Sequence, residues 1–361
     1  MLDFIQEEET LWEKLKLVTK PIVLYGMGNG ADRILDKCLA EKIPVVGVFA
    51  SDAFVRGQTF RSYPVKTYAV AVEEWGDFVI LLCFASESPL MLEHFRKLEE
   101  QHEVYAPHVA LFEGDEVVDF AWLSKYEAPL QTVYERLADV RSREVFAAII
   151  NYKLSGKLQY LWESVSARRQ DLGAIFTWGK DESYIDLGAY DGDTVREFLQ
   201  LTSDSYRRII AVEPDAKNCK KLEKFLQEEQ LPRTKLVAKG IWSAPGSYNF
   251  YQRGGRMSSL ASSGTKTVPV TSVDALVAAE TVPQATYIKM DVEGAEYEAL
   301  LGAAKCLERD CPKLFVAAYH HDNDIWQLPL LLWGLQPHYE LFLRRHPYIP
   351  CWEINILGRE R

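Results

Sequence analysis

The sequence predicts an α/β chain, because apolar strands alternate with helices and two of these strands run into glycine turns. The first of them, Pro21–Tyr25, leads into the turn Gly26–Ala31, and the second, Tyr184–Leu187, leads into Gly188–Thr194. Such alternation is typical of a parallel sheet covered by helices. At 361 residues the chain is longer than one ordinary domain, so two domains are expected.

The bulk composition excludes several classes of protein. Apolar residues make up 48% of the chain and charged residues 26%, as in a globular protein with a sizeable core. The net charge of −11 argues against a general nucleic-acid binder, which needs a basic surface. No apolar run is long enough to cross a membrane, and Met1–Glu9 lacks the basic flank of a signal peptide. Six scattered cysteines without metal-like spacing complete the expectation of a cytoplasmic protein.

Residues 1–122 are predicted to form an N-terminal Rossmann-like domain, with further strands at Val45–Phe49 and Phe78–Phe84. Gly26-x-Gly28-x-x-Ala31 matches the dinucleotide fingerprint, and Asp52 follows the second strand, where an acidic residue accepts bonds from ribose hydroxyls. The alternative is that a strand–turn–helix junction favours glycine with or without a ligand. Nucleotide binding at this turn is therefore a secondary hypothesis.

Residues 123–180 are predicted to be a helical connector, because apolar residues recur at spacings of three and four from 129 to 169. Residues 181–361 form the second predicted domain. Its expected parallel strands are Tyr184–Leu187, Ile209–Val212, Lys235–Val237, Tyr287–Met290 and Leu314–Ala318. Tyr339–Arg344 and Trp352–Leu357 are predicted as a closing pair, and the Ser-, Gly- and Thr-rich segment 243–270 is predicted to be loop.

The second glycine turn departs from the dinucleotide fingerprint, because Tyr190 and Asp193 stand where that fingerprint has its second and third glycines. Its acidic residues oppose a pyrophosphate and suit a cationic ligand such as S-adenosylmethionine. Glu213 ends the next strand, where a carboxylate is placed to bind two ribose hydroxyls; the alternative is a helix-capping or solvated carboxylate. After the third strand, Trp242 either lies against an adenine ring or belongs to the core.

Three stretches in this order resemble the FkbM family of S-adenosylmethionine-dependent methyltransferases: Asp186–Thr194, Val212–Asp215 and Tyr287–Glu296. The resemblance implies a class I methyltransferase domain, a Rossmann-like sheet of seven strands with the last one antiparallel, and O-methylation of sugars or natural products. The expected cofactor-binding residues are Asp186, Gly188, Ala189, Tyr190, Glu213, Pro214, Gly240, Ile241, Trp242 and Asp291. The strand before His320 lacks a carboxylate that some members carry, which bears on acceptor binding.

Two residues are predicted to act in catalysis. Asp291 and His320 follow neighbouring strands, and either one could remove the proton of a hydroxyl acceptor. Glu293 and Glu296 have a simpler interpretation as acidic residues in the first turn of a helix. Asp291 and His320, with His321, Asp322 and Asp324, could chelate a metal, but no metal signature supports this and none is predicted.

The sequence thus predicts a methyltransferase that acts on a hydroxyl of a small molecule or glycan, with no nucleic-acid or membrane partner. The alternative is a non-catalytic module that binds a nucleotide, a nucleotide-sugar or S-adenosylmethionine. The identity of the acceptor and the oligomeric state stay open.

Overall fold

The structure is a computed structural model that describes residues 2–112, 114–251, 259–260 and 266–361. The chain folds into two units. The first unit comprises Met1–Gln131, Arg143–Ser166 and Arg345–Glu353, and the second comprises Thr132–Ser142, Ala167–Arg344 and Ile354–Arg361. Both units draw residues from the segment 123–180, whose role as a connector stays a prediction.

A six-stranded sheet forms the centre of the first unit. Its strands are β1 (Ile22–Tyr25), β2 (Val45–Phe49), β3 (Thr59–Phe60), β4 (Tyr63–Lys66), β5 (Val79–Leu82) and β6 (Glu103–Tyr105). They lie in the order β3-β4-β2-β1-β5-β6, and every neighbouring pair except β3–β4 is parallel. Every residue of β1 and β5 is buried, as expected of apolar strands covered on both faces.

The helices of the first unit contribute buried apolar residues, and those of the first two helices pack with the strands of this sheet. They are α1 (Leu11–Leu17), α2 (Asn29–Ala40), α3 (Tyr68–Trp75), α4 (Pro89–Glu99), α5 (Phe120–Lys125), parts of α6 (Glu127–Arg136) and α7 (Val140–Ser155), and α8 (Leu158–Ser164). In α2 the buried residues are Ala31, Ile34, Leu35 and Cys38, which share one helix face at the 3.6-residue period.

The described residues of the second unit form eleven strands in two sheets. These strands are β7 (Ser183–Leu187), β8 (Arg208–Val212), β9 (Thr234–Val237), β10 (Gly240–Ile241), β11 (Gly246–Tyr251), β12 (Ser259–Leu260), β13 (Lys266–Thr271), β14 (Tyr287–Met290), β15 (Lys313–Ala317), β16 (Tyr339–Arg345) and β17 (Ile354–Glu360). Seven of them form the order β16-β17-β15-β14-β7-β8-β9, and the others form the order β10-β13-β11-β12. In the larger sheet β9, β8, β7, β14 and β15 pair in parallel, whereas β17 is antiparallel to β15.

Helices of the second unit connect most of these strands. They are α9 (Arg168–Ile175), α10 (Asp193–Thr202), α11 (Ala216–Glu228), α12 (Val273–Ala279), α13 (Glu296–Leu301), α14 (Ala304–Asp310) and α15 (Asp324–Leu335). An aromatic stack joins α10 to the centre of the sheet, since the ring of Tyr184 lies 4.5 Å from that of Phe198 and 4.8 Å from that of Tyr287. Such stacking stabilises the core beyond the burial of its area.

Two segments differ from the sequence prediction. Part of the expected loop 243–270 is strand, because alternating β-branched and aromatic residues pair β11 with β13; residues 252–258 and 261–265 of that loop lie outside the described residues. The last strand begins at Ile354 rather than Trp352, because Glu353 has a φ of +58°, a left-handed conformation that a strand excludes.

The prediction of an α/β fold with strands joined by helices is confirmed. Within the described ranges, no helix combines the length and the apolar character that a membrane span requires.

Candidate functional site

The turn after β7 presses directly against the end of β14. Leu187 and Met290 are paired in the sheet, so the residues that follow them, Gly188 and Asp291, lie side by side. Gly188 has a φ of +80°, and a Cβ there would stand 1.8 Å from the carbonyl oxygen of Asp291. Glycine is required at this position both for the left-handed backbone and for the close approach.

The turn is also held to the end of β8. The N–H groups of Gly188 and Ala189 both donate to the carbonyl oxygen of Val212, each at 3.0 Å. Tyr190 has a φ of +46°, and its N–H donates to Oε2 of Glu213 at 3.0 Å. Gly188, Ala189 and Tyr190, three of the predicted cofactor residues, are therefore hydrogen-bonded to the end of β8, where Glu213 is the fourth.

Glu213 is a buried carboxylate at the carboxyl end of β8, with 5% of the residue exposed. Its Oε1 accepts from the N–H of Asp215 at 2.8 Å and from Nδ2 of Asn218 at 3.4 Å. Burial raises the pKa of Glu213, although these hydrogen bonds oppose the shift. Asp215, not Glu213, caps α11, so neither helix capping nor solvation accounts for Glu213. Pro214 lies half-buried between the two.

A buried ion pair lies beneath the turn. Asp186 is 0% exposed, its Oδ2 accepts from Oγ1 of Thr194 at 2.5 Å, and its Oδ1 lies 3.4 Å from Nζ of Lys289. Burial raises the pKa of Asp186, and Lys289 only partly opposes that shift. Lys289 Nζ also donates to the carbonyl oxygen of Gly188 at 2.7 Å. Sequence reasoning missed Lys289, although a lysine within the apolar run Tyr287–Met290 was a visible signal.

The remaining predicted cofactor residues lie in the small sheet. Gly240 and Ile241 form β10 and are buried, and they pair in parallel with β13. Trp242 is half-buried; its N–H donates to the carbonyl oxygen of Thr271 at 2.9 Å, and its ring lies 4.6 Å from that of Tyr248. These contacts place Trp242 in a partly open position.

The ends of β14 and β15 bring a histidine together with three carboxylates. Nε2 of His320 lies 3.6 Å from Oδ1 of Asp291 and 3.5 Å from Oε2 of Glu293, and its Nδ1 lies 3.1 Å from Oε1 of Glu296. The side chains of Asp291 and Glu293 are 31% and 30% exposed, whereas those of His320 and Glu296 are 4% and 1% exposed. Asp291 and Glu293 therefore form the part of the site that is partly open to solvent, the open carboxylate layer, whereas His320 and Glu296 are buried.

This arrangement changes the protonation of the site. Burial by itself lowers the pKa of His320, but Glu296 and then Glu293 outweigh it, and the pKa lies well above its usual value. Burial raises the pKa of Glu293. Burial and the nearby charge of Glu296 raise the pKa of Asp324 to about 7.

Other residues that were considered as possible metal ligands are oriented differently. Nε2 of His321 lies 3.2 Å from the carbonyl oxygen of Gly294, and its backbone N–H donates to Oδ2 of Asp324. Asp291, Glu296 and His320 each offer one potential ligand atom within 4.8 Å of the others. Both oxygens of Glu296 already accept backbone N–H groups, from Val292 and Gly294, and the expectation that no metal binds stays a prediction.

In the first unit, packing accounts for part of the Gly26 turn. Gly26 has a φ of +117°, and a Cβ at Gly30 would lie 2.3 Å from the carbonyl oxygen of Cys83. A Cβ at Gly28 would meet no atom within 4 Å, and Asp52 is an exposed residue at the start of a short 3₁₀ helix. Nucleotide binding at this turn stays a prediction.

Comparison with known proteins matches most of the second unit to a protein family. Residues 186–350 match the model of the methyltransferase FkbM domain. The crystal structure of the methyltransferase FkbM from Methylobacillus flagellatus KT is similar over 94% of this chain and 90% of that one, with 20% identity and a TM-score of 0.72. That similarity shows a shared fold. No curated protein is a significant sequence match.

More distant solved structures cover about half of the chain. An rRNA methylase from Streptococcus thermophilus matches 53% of this chain and 93% of that one, with 12% identity and a TM-score of 0.35. Fibrillarin from Aeropyrum pernix, with natively bound S-adenosyl-L-methionine, matches 50% of this chain and 67% of that one, with 11% identity and a TM-score of 0.32. TM-scores this low support no inference about this chain.

Proposed function

Because residues 186–350 form a domain of the FkbM methyltransferase family, we propose that this chain transfers a methyl group from S-adenosylmethionine to a hydroxyl of a small molecule or glycan. The seven-stranded sheet supports this proposal, since the order of its strands and the antiparallel pairing of β17 with β15 are those expected of a class I methyltransferase. A cytoplasmic location and an acceptor other than nucleic acid are part of the same proposal.

The contact between Gly188 and Asp291 is the observation that carries the proposal. Ligands of open α/β sheets bind outside the carboxyl ends of the strands, near the point where the strand order reverses. In this sheet that point is the β7–β14 boundary, which ends in Gly188 and Asp291. A cofactor lying along the turn is thereby placed next to the open carboxylate layer.

The residues of the turn fit S-adenosylmethionine. Oδ1 of Asp186 lies 3.4 Å from Nζ of Lys289 but is buried without a hydrogen-bond partner among the described residues. Asp186 thus retains an acceptor for an ammonium group, and Glu213 retains lone pairs for ribose hydroxyls. When bound, S-adenosylmethionine supplies an electrophilic methyl group on a cationic sulfur.

The open carboxylate layer supplies the base. A hydroxyl acceptor loses its proton as the new C–O bond forms, and a carboxylate within hydrogen-bond reach accepts that proton. Glu296 and Glu293 raise the pKa of His320 well above its usual value, which favours a carboxylate over this ring as the proton acceptor. We therefore assign the base to Asp291, with His320 as its charged neighbour rather than the proton acceptor.

The same carboxylates bear on the choice of acceptor. Asp291 and Glu293 are each about a third exposed and carry negative charge at the mouth of the site. Repulsion between these carboxylates and a phosphate disfavours a phosphorylated acceptor. The site favours an uncharged polyol or a cationic molecule.

Calorimetric titration of S-adenosylhomocysteine into the full chain tests the cofactor assignment. The wild type is expected to bind, and Glu213→Gln is expected to weaken binding by at least about tenfold, or ~1.4 kcal/mol, because a ribose contact is lost. Glu223→Gln is the matched control, since Glu223 is exposed on the helix that follows Glu213. Absence of binding by the wild type would overturn the proposal.

A further inference from the structure

Glu296 is held more firmly than any role in a helix first turn requires. It is the first residue of α13 and only 1% exposed. Its Oε1 accepts from the N–H of Val292 at 2.8 Å, and its Oε2 accepts from the N–H of Gly294 at 3.0 Å. The carboxylate therefore cannot rotate without losing a hydrogen bond, and its position relative to the end of β14 is fixed.

The fixed carboxylate faces one side of the His320 ring, and two further carboxylates face the other side. Nδ1 lies 3.1 Å from Glu296, whereas Nε2 lies 3.5 Å from Glu293 and 3.6 Å from Asp291. A neutral imidazole offers one N–H donor and one lone pair, so one of its nitrogens would present a lone pair to a carboxylate. An imidazolium presents positive charge to both sides, and with Glu296 the contact is an ion pair at 3.1 Å rather than a hydrogen bond, since Nδ1 has no hydrogen-bond partner among the described residues.

The surroundings of His320 are rich in carboxyl groups. The segment from β14 to α13 contributes Asp291, Glu293 and Glu296, and α15 contributes Asp324. The ring of Tyr319 lies 4.3 Å from that of His320 at an angle of 35°, and its hydroxyl donates to Asp291 at 3.4 Å. His321 is directed to Asp324 and to Gly294 instead. A cation at His320 is the charge that compensates this cluster, since buried charges require a partner.

We propose that Glu296 is a positioning residue that fixes His320 as a buried cation, and that this cation holds Asp291 and Glu293 at the mouth of the site. The inference rests on the proposed methyl transfer, to which it adds the support of the reacting carboxylate. Glu293 has a φ of +56° and Gly294 a φ of +96°, so the short turn before α13 directs the Glu293 side chain to the same ring. His320 then organises two groups that reach the acceptor, while it remains buried itself.

NMR titration of the histidine rings in the full chain tests this proposal without any acceptor. His320 is assigned by the signal missing from His320→Asn. In the wild type the ring is expected to keep imidazolium shifts well past the titration of an ordinary histidine near 6.5. Glu296→Gln is expected to lower the midpoint of the titration by at least about one pH unit, a tenfold change in proton affinity.

Matched variants separate positioning from general damage. Glu298→Gln, two residues along the same helix, is expected to leave the midpoint unchanged. Glu293→Gln, at the open side of the ring, is expected to lower it while S-adenosylhomocysteine binding persists, and it keeps the test valid if Glu296→Gln fails to fold. An unchanged midpoint in folded Glu296→Gln, or an unchanged midpoint in Glu293→Gln, overturns the proposal.

Two further outcomes are distinguishable. If the wild type fails to bind S-adenosylhomocysteine while the histidine midpoints shift as expected, the proposed function fails but the charge arrangement stands. If stoichiometric Mn²⁺ added to chelator-treated protein selectively broadens the His320 signal at neutral pH, the compensating cation is a metal ion and the positioning proposal is overturned.

Discussion

Replacing Gly188 by alanine perturbs the contact on which the proposed site is built. An alanine Cβ would lie 1.8 Å from the carbonyl oxygen of Asp291, so the two segments would have to separate by about 1.5 Å to reach ordinary contact. The backbone φ of +80° adds roughly 1 kcal/mol for a residue with a Cβ, and overpacking against backbone adds about 1–3 kcal/mol. We expect Gly188→Ala to lose about 2–4 kcal/mol of unfolding free energy.

Gly173→Ala is the matched control in the same unit. Gly173 lies inside α9 and a Cβ there would meet no atom within 4 Å, so this variant is expected to gain about 0.5–1 kcal/mol. Urea unfolding measures both changes, and calorimetry measures S-adenosylhomocysteine affinity. Separation of the turn from Asp291 is expected to abolish that binding in Gly188→Ala alone. If Gly188→Ala were as stable as Gly173→Ala and bound S-adenosylhomocysteine with wild-type affinity, the close contact between Gly188 and Asp291 would not be needed for the fold or for binding.

Three further substitutions test the charges of the second unit. Asp324→Asn is expected to raise the unfolding free energy at pH 8 by up to ~4 kcal/mol, and the melting temperature with it, but to change neither at pH 4. The reason is that a folded pKa of about 7 makes the wild-type native state lose stability as pH rises from about 4 towards 7. Lys289→Met is expected to cost about 3–5 kcal/mol in urea unfolding, because it leaves the carboxylate of Asp186 buried and uncompensated. Asp291→Asn is expected to abolish methyl transfer while S-adenosylhomocysteine affinity changes by less than about threefold, since its side chain reaches the acceptor side.

A specific result would contradict each of these three predictions. A difference between Asp324→Asn and wild type that is equal at both pH values would remove the titration as its cause. Adding Asp186→Asn to Lys289→Met should restore part of the lost stability, and a further loss of similar size would contradict the buried pair. Full turnover by Asp291→Asn would exclude it as the base.

The sequence was most informative where a local pattern decides the structure. The strand before Gly188 and the acidic residue that ends β8 lie where they were predicted, because an apolar run, a glycine and a carboxylate at the strand end each have a local physical cause. The proximity of Asp291 and His320 also followed from the rule that parallel strands end at one edge.

The charges of the site could not be predicted in the same way. The protonation of His320 depends on the distances to Glu296 and Glu293, which lie more than twenty residues away along the chain. Lys289 contacts Asp186 across more than one hundred residues, so neither residue alone indicates a pair. Glu296 fits the preference for acidic residues in a helix first turn, and only the folded structure shows its carboxylate against a histidine.

A crystal structure of the full chain with S-adenosylhomocysteine is the most direct test of whether the cofactor binds at the β7–β14 boundary. The ribose hydroxyls are expected within hydrogen-bond distance of the Glu213 carboxylate, and the sulfur is expected to point towards Asp291 at the β7–β14 boundary. Ligand bound with its sulfur away from Asp291, or found only at the Gly26 turn of the first unit, would contradict it.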